Sequence, residues 1–239
     1  MAEITQKHEL TEVVCALWFD SASNLWDSTF FGKFYERIEP LGYDSKQEQK
    51  GYQVQFEIKS DQGEPKPTNQ ASEIGSRMVF RNTKMQYAII MAENFISFHK
   101  LAPYKNWESL MKEQVVPGMR EYIDIGLGNN IRQVQSLYLN KYTLSNEDTL
   151  SNYFKFIPSV QDFGTGKESN LIFQSQYQLE PNLLQEIRLN SILNPATNSH
   201  DIFLQCSCYS NPSNNQNWLT LCKDAHDQNN LTFKKITKN

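Results

Sequence analysis

An apolar run near the beginning of the chain decides the fold class: Glu12-Val13-Val14-Cys15-Ala16-Leu17-Trp18-Phe19. Its β-branched and aromatic side chains predict a largely buried strand. A helix should come next, because apolar side chains recur at helical spacing from Phe30 to Leu41. Asp27 or Ser28 can cap this helix, and Pro40 marks its end.

Shorter segments after this helix predict further strands. Strands are expected over 52–58, 77–80, 85–91 and 95–99. The stretch 60–72 contains Gly63, Pro65 and Pro67 among polar residues, so we expect a loop there. A second helix is expected to start at Trp107, with a kink at Pro117 or a break just before it, because proline removes a backbone donor.

The remaining sequence repeats this order. Its expected elements are a strand over 134–143, a helical piece near 150–156, strands over 171–179, 185–193 and 202–209, and a helix from Trp218. Both long helices open with Asn-Trp-x-x-Leu, at Asn106-Trp107 and at Asn217-Trp218, 111 residues apart. We interpret this as a tandem β-α-β-β-β-α duplication with halves 1–130 and 131–239, packed as one unit, in which Trp107 and Trp218 are buried at equivalent positions.

The predicted fold class is therefore α+β, with a mostly antiparallel sheet and helices on one face. Composition narrows the range of possible functions. The net charge is −4 with a pI of about 5.6, which argues against a nucleic-acid-binding protein. No apolar run is long enough to span a membrane, and residues 1–9 lack the order of a secretory signal, so a cytoplasmic location is expected.

The chemistry-bearing residues do not form a recognised catalytic set. The cysteines are Cys15, Cys206, Cys208 and Cys222, and buried reduced thiols are expected for them in a cytoplasmic protein. Cys222 and His226 are four apart on a predicted helix, which allows a Cys/His pair but favours packing. No metal, cofactor or catalytic residue is predicted, because neither zinc-ligand spacing nor a nucleotide-binding or hydrolase motif occurs.

One group of side chains is a candidate ligand site. His99 ends a predicted strand, and the next feature is Tyr104 followed by Trp107, so these residues could line a cleft together with Tyr138 from the second half. A histidine with a purely structural role remains the alternative for His99. The expected place for such a cleft is between the two halves.

Three stretches carry a resemblance to known proteins. They are Glu12-Val13-Val14-Cys15-Ala16-Leu17-Trp18-Phe19, Pro103-Tyr104-Lys105-Asn106-Trp107 with Tyr138-Leu139-Asn140, and Ala225-His226 with Phe233-Lys234-Lys235-Ile236-Thr237. In order and spacing, the chain resembles a sporadically distributed prokaryotic family of uncharacterised proteins. Leu137 stands where that family usually has Arg. The resemblance implies one full-length bacterial unit and suggests an accessory gene of the mobile or defence kind, without assigning an activity.

Two functions remain open at this point. The favoured one is a non-enzymatic binding module that recognises a protein partner or itself; the alternative is an enzyme or small-ligand receptor with a pocket between the halves. The strand Leu171-Ile172-Phe173-Gln174-Ser175-Gln176-Tyr177 has neither charge nor proline, which are the usual protections of a sheet edge. We expect it to lie inside the sheet or to pair with another chain, with Gln174 and Gln176 on its solvent face.

Overall fold

The computed structural model describes residues 7–20, 26–61, 64–145, 150–157, 170–194, 199–212 and 217–237. Within these residues, nine strands form one antiparallel sheet in the order β2-β3-β4-β5-β1-β6-β9-β8-β7. The strands are β1 (Lys7–Phe19), β2 (Ser45–Asp61), β3 (Glu64–Asn82), β4 (Tyr87–Ala92), β5 (Phe95–Leu101), β6 (Ile131–Ser145), β7 (Asn170–Glu180), β8 (Leu183–Asn194) and β9 (Ser199–Ser210). The mixed α+β class with a mostly antiparallel sheet is confirmed.

Helices cover one face of this sheet. They are α1 (Thr29–Ile38), α2 (Trp107–Leu110), α3 (Val116–Asp124), α4 (Leu150–Tyr153) and α5 (Trp218–Ile236). The apolar face of β1, formed by Val13, Cys15 and Leu17, belongs to a core cluster that also contains buried residues of α1, α3 and α5. A second core cluster lies under α4, around Phe154. None of the helices in these residue ranges is long and apolar enough to cross a membrane.

β1 lies in the middle of the sheet, as its apolar composition predicts. It pairs with β5 on one side and with β6 on the other, both antiparallel. The pairing with β6 has an irregularity at Thr11, since Leu10 pairs with Asn140 while Glu12 pairs with Leu139. This β-bulge reverses the alternation of the strand. Leu10 therefore points to the helix side, and Glu12 points to the open side.

The second long helix is distorted where the sequence predicts it. A π-helical segment, Met111–Val115, joins α2 to α3, and Pro117 lies just after it. The wider turn accommodates the missing proline donor without ending the helix. Gly118 then lets the helix approach the sheet, because a Cβ atom there would lie 2.5 Å from Cε1 of Phe98.

Two sequence expectations need correction. The stretch 60–72 is not a loop: apart from residues 62 and 63, its backbone belongs to β2 and β3, which pair as a long ribbon. Within the described residues, β4 pairs only with residues 78–82 of β3. The outer part of β3, residues 64–77, therefore has one edge without a partner strand. Pro65 and Pro67 lie in this outer part of β3, and a strand with one free side tolerates proline. Side-chain patterns over 51–75 lie outside the described residues.

The second correction concerns the element order. Residues 131–237 have the predicted order β-α-β-β-β-α, beginning with β6 at Ile131. Residues 7–124 contain four strands after α1, which agrees with the four strands predicted over 52–99 but is one more than the β-α-β-β-β-α order allows. The predicted short helix near 150–156 is also shorter, ending at Tyr153.

Candidate functional site

A cavity of about 330 Å³ brings together three of the four predicted ligand-binding residues, Tyr104, Trp107 and Tyr138. It lies between the beginning of α2, the middle of β6 and the second half of α5. The other lining residues are Leu10, Asn106, Glu108, Asn140, His226, Asn230 and Phe233. Its size is at the lower end of the range for small-molecule sites.

Local structure fixes the first wall of the cavity. Oδ1 of Asn106 accepts a hydrogen bond from the backbone N–H of Ser109 at 2.8 Å, which caps α2. The cap places Trp107 in the first turn, where it is only 6% exposed. The indole stacks on the His226 ring of α5, with the ring centroids 4.4 Å apart and the planes 5° from parallel. This stack joins the beginning of α2 to α5.

His226 is held by hydrogen bonds on both ring nitrogens. The Asn230 amide donates to Nε2 at 3.1 Å, and Nδ1 is hydrogen-bonded to the Tyr138 hydroxyl at 2.5 Å. With Nε2 as acceptor, Nδ1 carries the proton of the neutral imidazole and donates to Tyr138. Burial lowers the pKa of His226, which favours this neutral form.

The two tyrosines form a corner of the cavity. Their ring centroids are 6.3 Å apart and their planes meet at 79°. Burial raises the pKa of Tyr138, and it raises the pKa of Tyr104 to about 12. An interaction between the two hydroxyls raises the pKa of Tyr138 further and lowers the pKa of Tyr104. The Tyr104 hydroxyl is buried, and no hydrogen bond of normal geometry reaches it from the described residues. Both phenols are neutral at pH 7.

Sequence reasoning did not foresee the contribution of α5 to this site. His226, Asn230 and Phe233 stand at i, i+4 and i+7, so they share one helix face. That spacing was the available signal, but it does not reveal which surface the helix covers. Leu10 reaches the cavity because of the bulge at Thr11, and nothing in the local sequence marks that bulge.

His99 is not brought to the cavity. Phe98 belongs to the helix-side core, so alternation along β5 places His99 on the opposite, open face of the sheet. There His99 is hydrogen-bonded through Nδ1 to Glu12 at 2.6 Å and through Nε2 to Ser97 at 2.8 Å. These contacts fit a structural role for this histidine.

The cysteines lie in the core. Cys15, Cys206, Cys208 and Cys222 are all buried and free. Cys222 contacts Cys15, with the two sulfur atoms 3.5 Å apart, whereas His226 contacts Trp107, Tyr138 and Asn230. The hydrogen bond with Cys15 and burial raise the pKa of Cys222, so this thiol is a poor nucleophile at neutral pH. No group of three metal-ligating side chains occurs within the described ranges.

The open face of the sheet carries a polar network near β7. Glu186 is only 1% exposed and pairs with Arg188 at 2.8 Å. The amides of Gln174 and Gln176 donate to the same carboxylate at 2.9 and 3.2 Å, and the Tyr209 hydroxyl donates to it at 3.2 Å. Both glutamines are on the exposed face of β7, as expected, but they also donate hydrogen bonds to a buried carboxylate.

β7 is an edge strand. It ends the strand order and pairs only with β8 within the described part of the chain. Ile172 on this strand is 81% exposed, more than any other exposed large hydrophobic residue that the structure describes. The opposite edge, β2, is protected differently, since Lys46, Glu48 and Lys50 lie along it.

No protein-family model, curated protein or solved structure matches the chain. The cavity and the edge strand are therefore the main structural features that bear on function.

Proposed function

We propose that the protein is a non-enzymatic binding module that pairs with a second copy of itself through β7. The observation that carries this proposal is the uncharged, proline-free stretch 171–177 of the β7 edge, with Ile172 81% exposed on it. Edges of this kind pair with other strands unless they are covered. Antiparallel pairing of β7 with its copy around a twofold axis satisfies both edges at once.

The charge pattern of the two edges supports a closed dimer. β2 carries Lys46, Glu48 and Lys50, and charged edges resist further strand addition. The free part of β3 contains Pro65 and Pro67, and proline also resists strand addition. One unprotected edge per chain produces a dimer, whereas two would produce a fibre. The apolar side chain of Ile172 would gain a cross-strand neighbour in this dimer.

Light scattering over a concentration series tests the dimer. Wild-type protein should have twice the chain mass, and Ile172→Lys should shift it to the monomer with an unchanged circular dichroism spectrum. Leu231→Lys is the matched control, because Leu231 is a half-exposed apolar residue on α5, away from the edge. A wild-type protein that stays monomeric at high concentration would overturn the proposal.

The cavity supports a second function, that of a small-ligand receptor. Its walls are mainly aromatic, and polar groups from Asn106, Glu108 and Tyr104 meet there. An enzymatic role has less support. Two of the acid–base groups that line the cavity, His226 and Tyr138, are hydrogen-bonded to each other, and burial moves both of their pKa values away from 7.

We also infer a tandem duplication with halves 1–130 and 131–239. Support comes from the equivalent first turns of α2 and α5, which both open with a capping asparagine and a tryptophan. β1 and β6, the first strand of each half, lie side by side and antiparallel, as a pseudo-twofold axis requires. With the resemblance to a sporadic bacterial family, this favours a cytoplasmic accessory protein of the mobile or defence kind.

A further inference from the structure

We infer that the cavity between α2, β6 and α5 binds a small organic cation of the alkylammonium type. The inference rests on the receptor function proposed above and goes further by naming the class of ligand. Three features support it: the arrangement of the aromatic rings, the sign of the charge at the cavity, and a buried hydroxyl that lacks a hydrogen bond of normal geometry among the described residues.

Aromatic rings from α2, β6, α5 and the segment before α2 line the cavity, as they do in sites that hold an ammonium group. Tyr104 and Tyr138 stand nearly perpendicular to each other and make two adjacent walls. Trp107 makes a third, and its stack on His226 keeps the indole in place. Phe233 lines the cavity from α5. A cation within about 6 Å of such ring faces is attracted by their quadrupoles, and the attraction grows when water is excluded.

The charge at the cavity has the matching sign. Among the described lining residues, Glu108 is the one with a formal charge at neutral pH, since His226 is neutral there. The negative field of Glu108 reaches the cavity floor, because it adds to the rise in pKa of both Tyr104 and Tyr138. An anion would meet this carboxylate without a lysine or arginine on the described walls to balance it.

A basic group near His226 does not change the sign of the charge at the cavity. Lys223 lies close enough to affect His226, but its ammonium group is paired with Asp227 on the outer side of α5. Neither residue lines the cavity. The formal charge of the described lining residues is therefore negative, which favours a cation.

The Tyr104 hydroxyl indicates where a polar group of the ligand would sit. It is buried and lacks a hydrogen bond of normal geometry among the described residues. Buried polar atoms without partners destabilise a fold, so a ligand group that pairs with this hydroxyl gains affinity. The ligand should thus combine an ammonium head with a hydroxyl or carbonyl group.

Choline is a suitable probe, and 3,3-dimethylbutan-1-ol is its neutral isostere. Calorimetric titration, together with tryptophan fluorescence, should give saturable binding of one choline per chain. The isostere should bind at least about tenfold more weakly, the factor that corresponds to ~1.4 kcal/mol. Phosphatidylcholine vesicles should not bind, because the lipid phosphate would take the place of the choline hydroxyl at the buried Tyr104 hydroxyl, where the described lining residues include no lysine or arginine to balance it.

Matched variants assign the binding to this cavity. Glu108→Gln should weaken choline binding about tenfold, while Glu36→Gln, on the exposed side of α1, should leave it unchanged. Tyr104→Phe keeps the ring and should retain the preference for choline over the isostere. Tyr104→Leu removes the ring and should abolish this preference.

Negative results for the cation inference and for the receptor function can be told apart. Equal binding of choline and the isostere would overturn the cation inference and leave the receptor function intact. Binding of neither probe, in protein whose fold is confirmed by circular dichroism, would overturn both the inference and the receptor function. Binding of vesicles without binding of free choline would overturn the inference in favour of a membrane surface.

Discussion

The two long helical segments, α2–α3 (Trp107–Asp124) and α5 (Trp218–Ile236), begin alike and then serve different purposes. Each opens with an asparagine whose side chain accepts a hydrogen bond from a backbone N–H group. Asn106 accepts from Ser109, and Asn217 accepts from Leu219. Each has tryptophan at the first helical position. Eight residues later the sequences diverge: Val115 is a buried core residue, whereas His226 is a wall of the cavity.

The same divergence occurs where the helices meet the sheet. Gly118 and Asn229 both lie eleven residues after the tryptophan. Gly118 lets α3 approach Phe98 closely. Asn229 is fully buried, and its amide donates to the carbonyl oxygens of Ser136 and Cys206 at 3.0 and 2.9 Å. One helix is therefore held to the sheet by close packing and the other by a polar network.

The largest expected difference is between the tryptophans. Trp107→Ala should lower the free energy of unfolding by about 3–5 kcal/mol, since Trp107 is buried and supports the stack with His226. Trp218 is only half-buried, against the expectation of equivalent burial, so Trp218→Ala should cost less than half as much. Urea denaturation of both variants measures this, and equal losses would contradict the comparison.

The next largest change in the free energy of unfolding is expected at the positions that face the sheet, Asn229 and Gly118. Asn229→Ala should cost about 1–3 kcal/mol, because it removes the amide that donates to the buried carbonyl oxygens of Ser136 and Cys206. Gly118→Ala should cost a similar amount, about 1–3 kcal/mol, because the new methyl group must displace Phe98.

Gly32→Ala is the control for this pair, because a Cβ atom there meets nothing within 4 Å. It should stabilise α1 by about 0.5–1 kcal/mol. A stabilising Gly118→Ala would show that the close contact of α3 with β5 is looser than the structure indicates.

The helix caps should give a smaller and equal effect. Asn106→Ala and Asn217→Ala should each cost about 1 kcal/mol, since each removes one hydrogen bond to an otherwise unpaired backbone donor. Thermal unfolding monitored by circular dichroism can compare them. A much larger loss for Asn106 would mean that the cap also holds the cavity wall in place.

The smallest effect is a pH dependence of the free energy of unfolding, to which α5 should contribute through His226. Burial lowers the pKa of His226 in the folded protein below its ordinary value of 6.5. The unfolded chain then binds more protons between these two values, so stability should fall as the pH drops below about 6.5. His226→Val, which copies Val115, should reduce this slope in denaturation series at pH 5 to 7.5. An unchanged slope would assign it to other groups.

Most of the strands could be predicted from local patterns, because alternation and β-branched runs mark them directly. The helix starts are indicated by Asn-Trp, and the distortion of the second helix is indicated by Pro117. The ribbon of β2 and β3 was missed because Pro65 and Pro67 normally exclude a strand. An edge with one free side tolerates them, and the sequence does not show which strands lie at edges.

The candidate site was predicted only in part for a similar reason. Tyr104 and Trp107 are close in sequence, so their proximity could be expected. The placement of His99 was readable from its neighbours, because Ile96 and Phe98 fix the buried face of β5 and leave Ser97 and His99 on the other. The contact of Trp107 with His226 joins residues far apart in the chain, and only the tertiary structure reveals it.

The central position of β1 has a consequence for how the chain is made. β1 precedes both of its partner strands, and the second of them, β6, ends only at Ser145. During synthesis at about 5–20 residues per second, its apolar side chains must wait on the order of ten seconds for β6. An unpaired apolar strand is prone to aggregation over such a period. The newly made chain should therefore depend on the ribosome surface or a chaperone to shield Val13, Cys15 and Leu17 until the sheet closes around them.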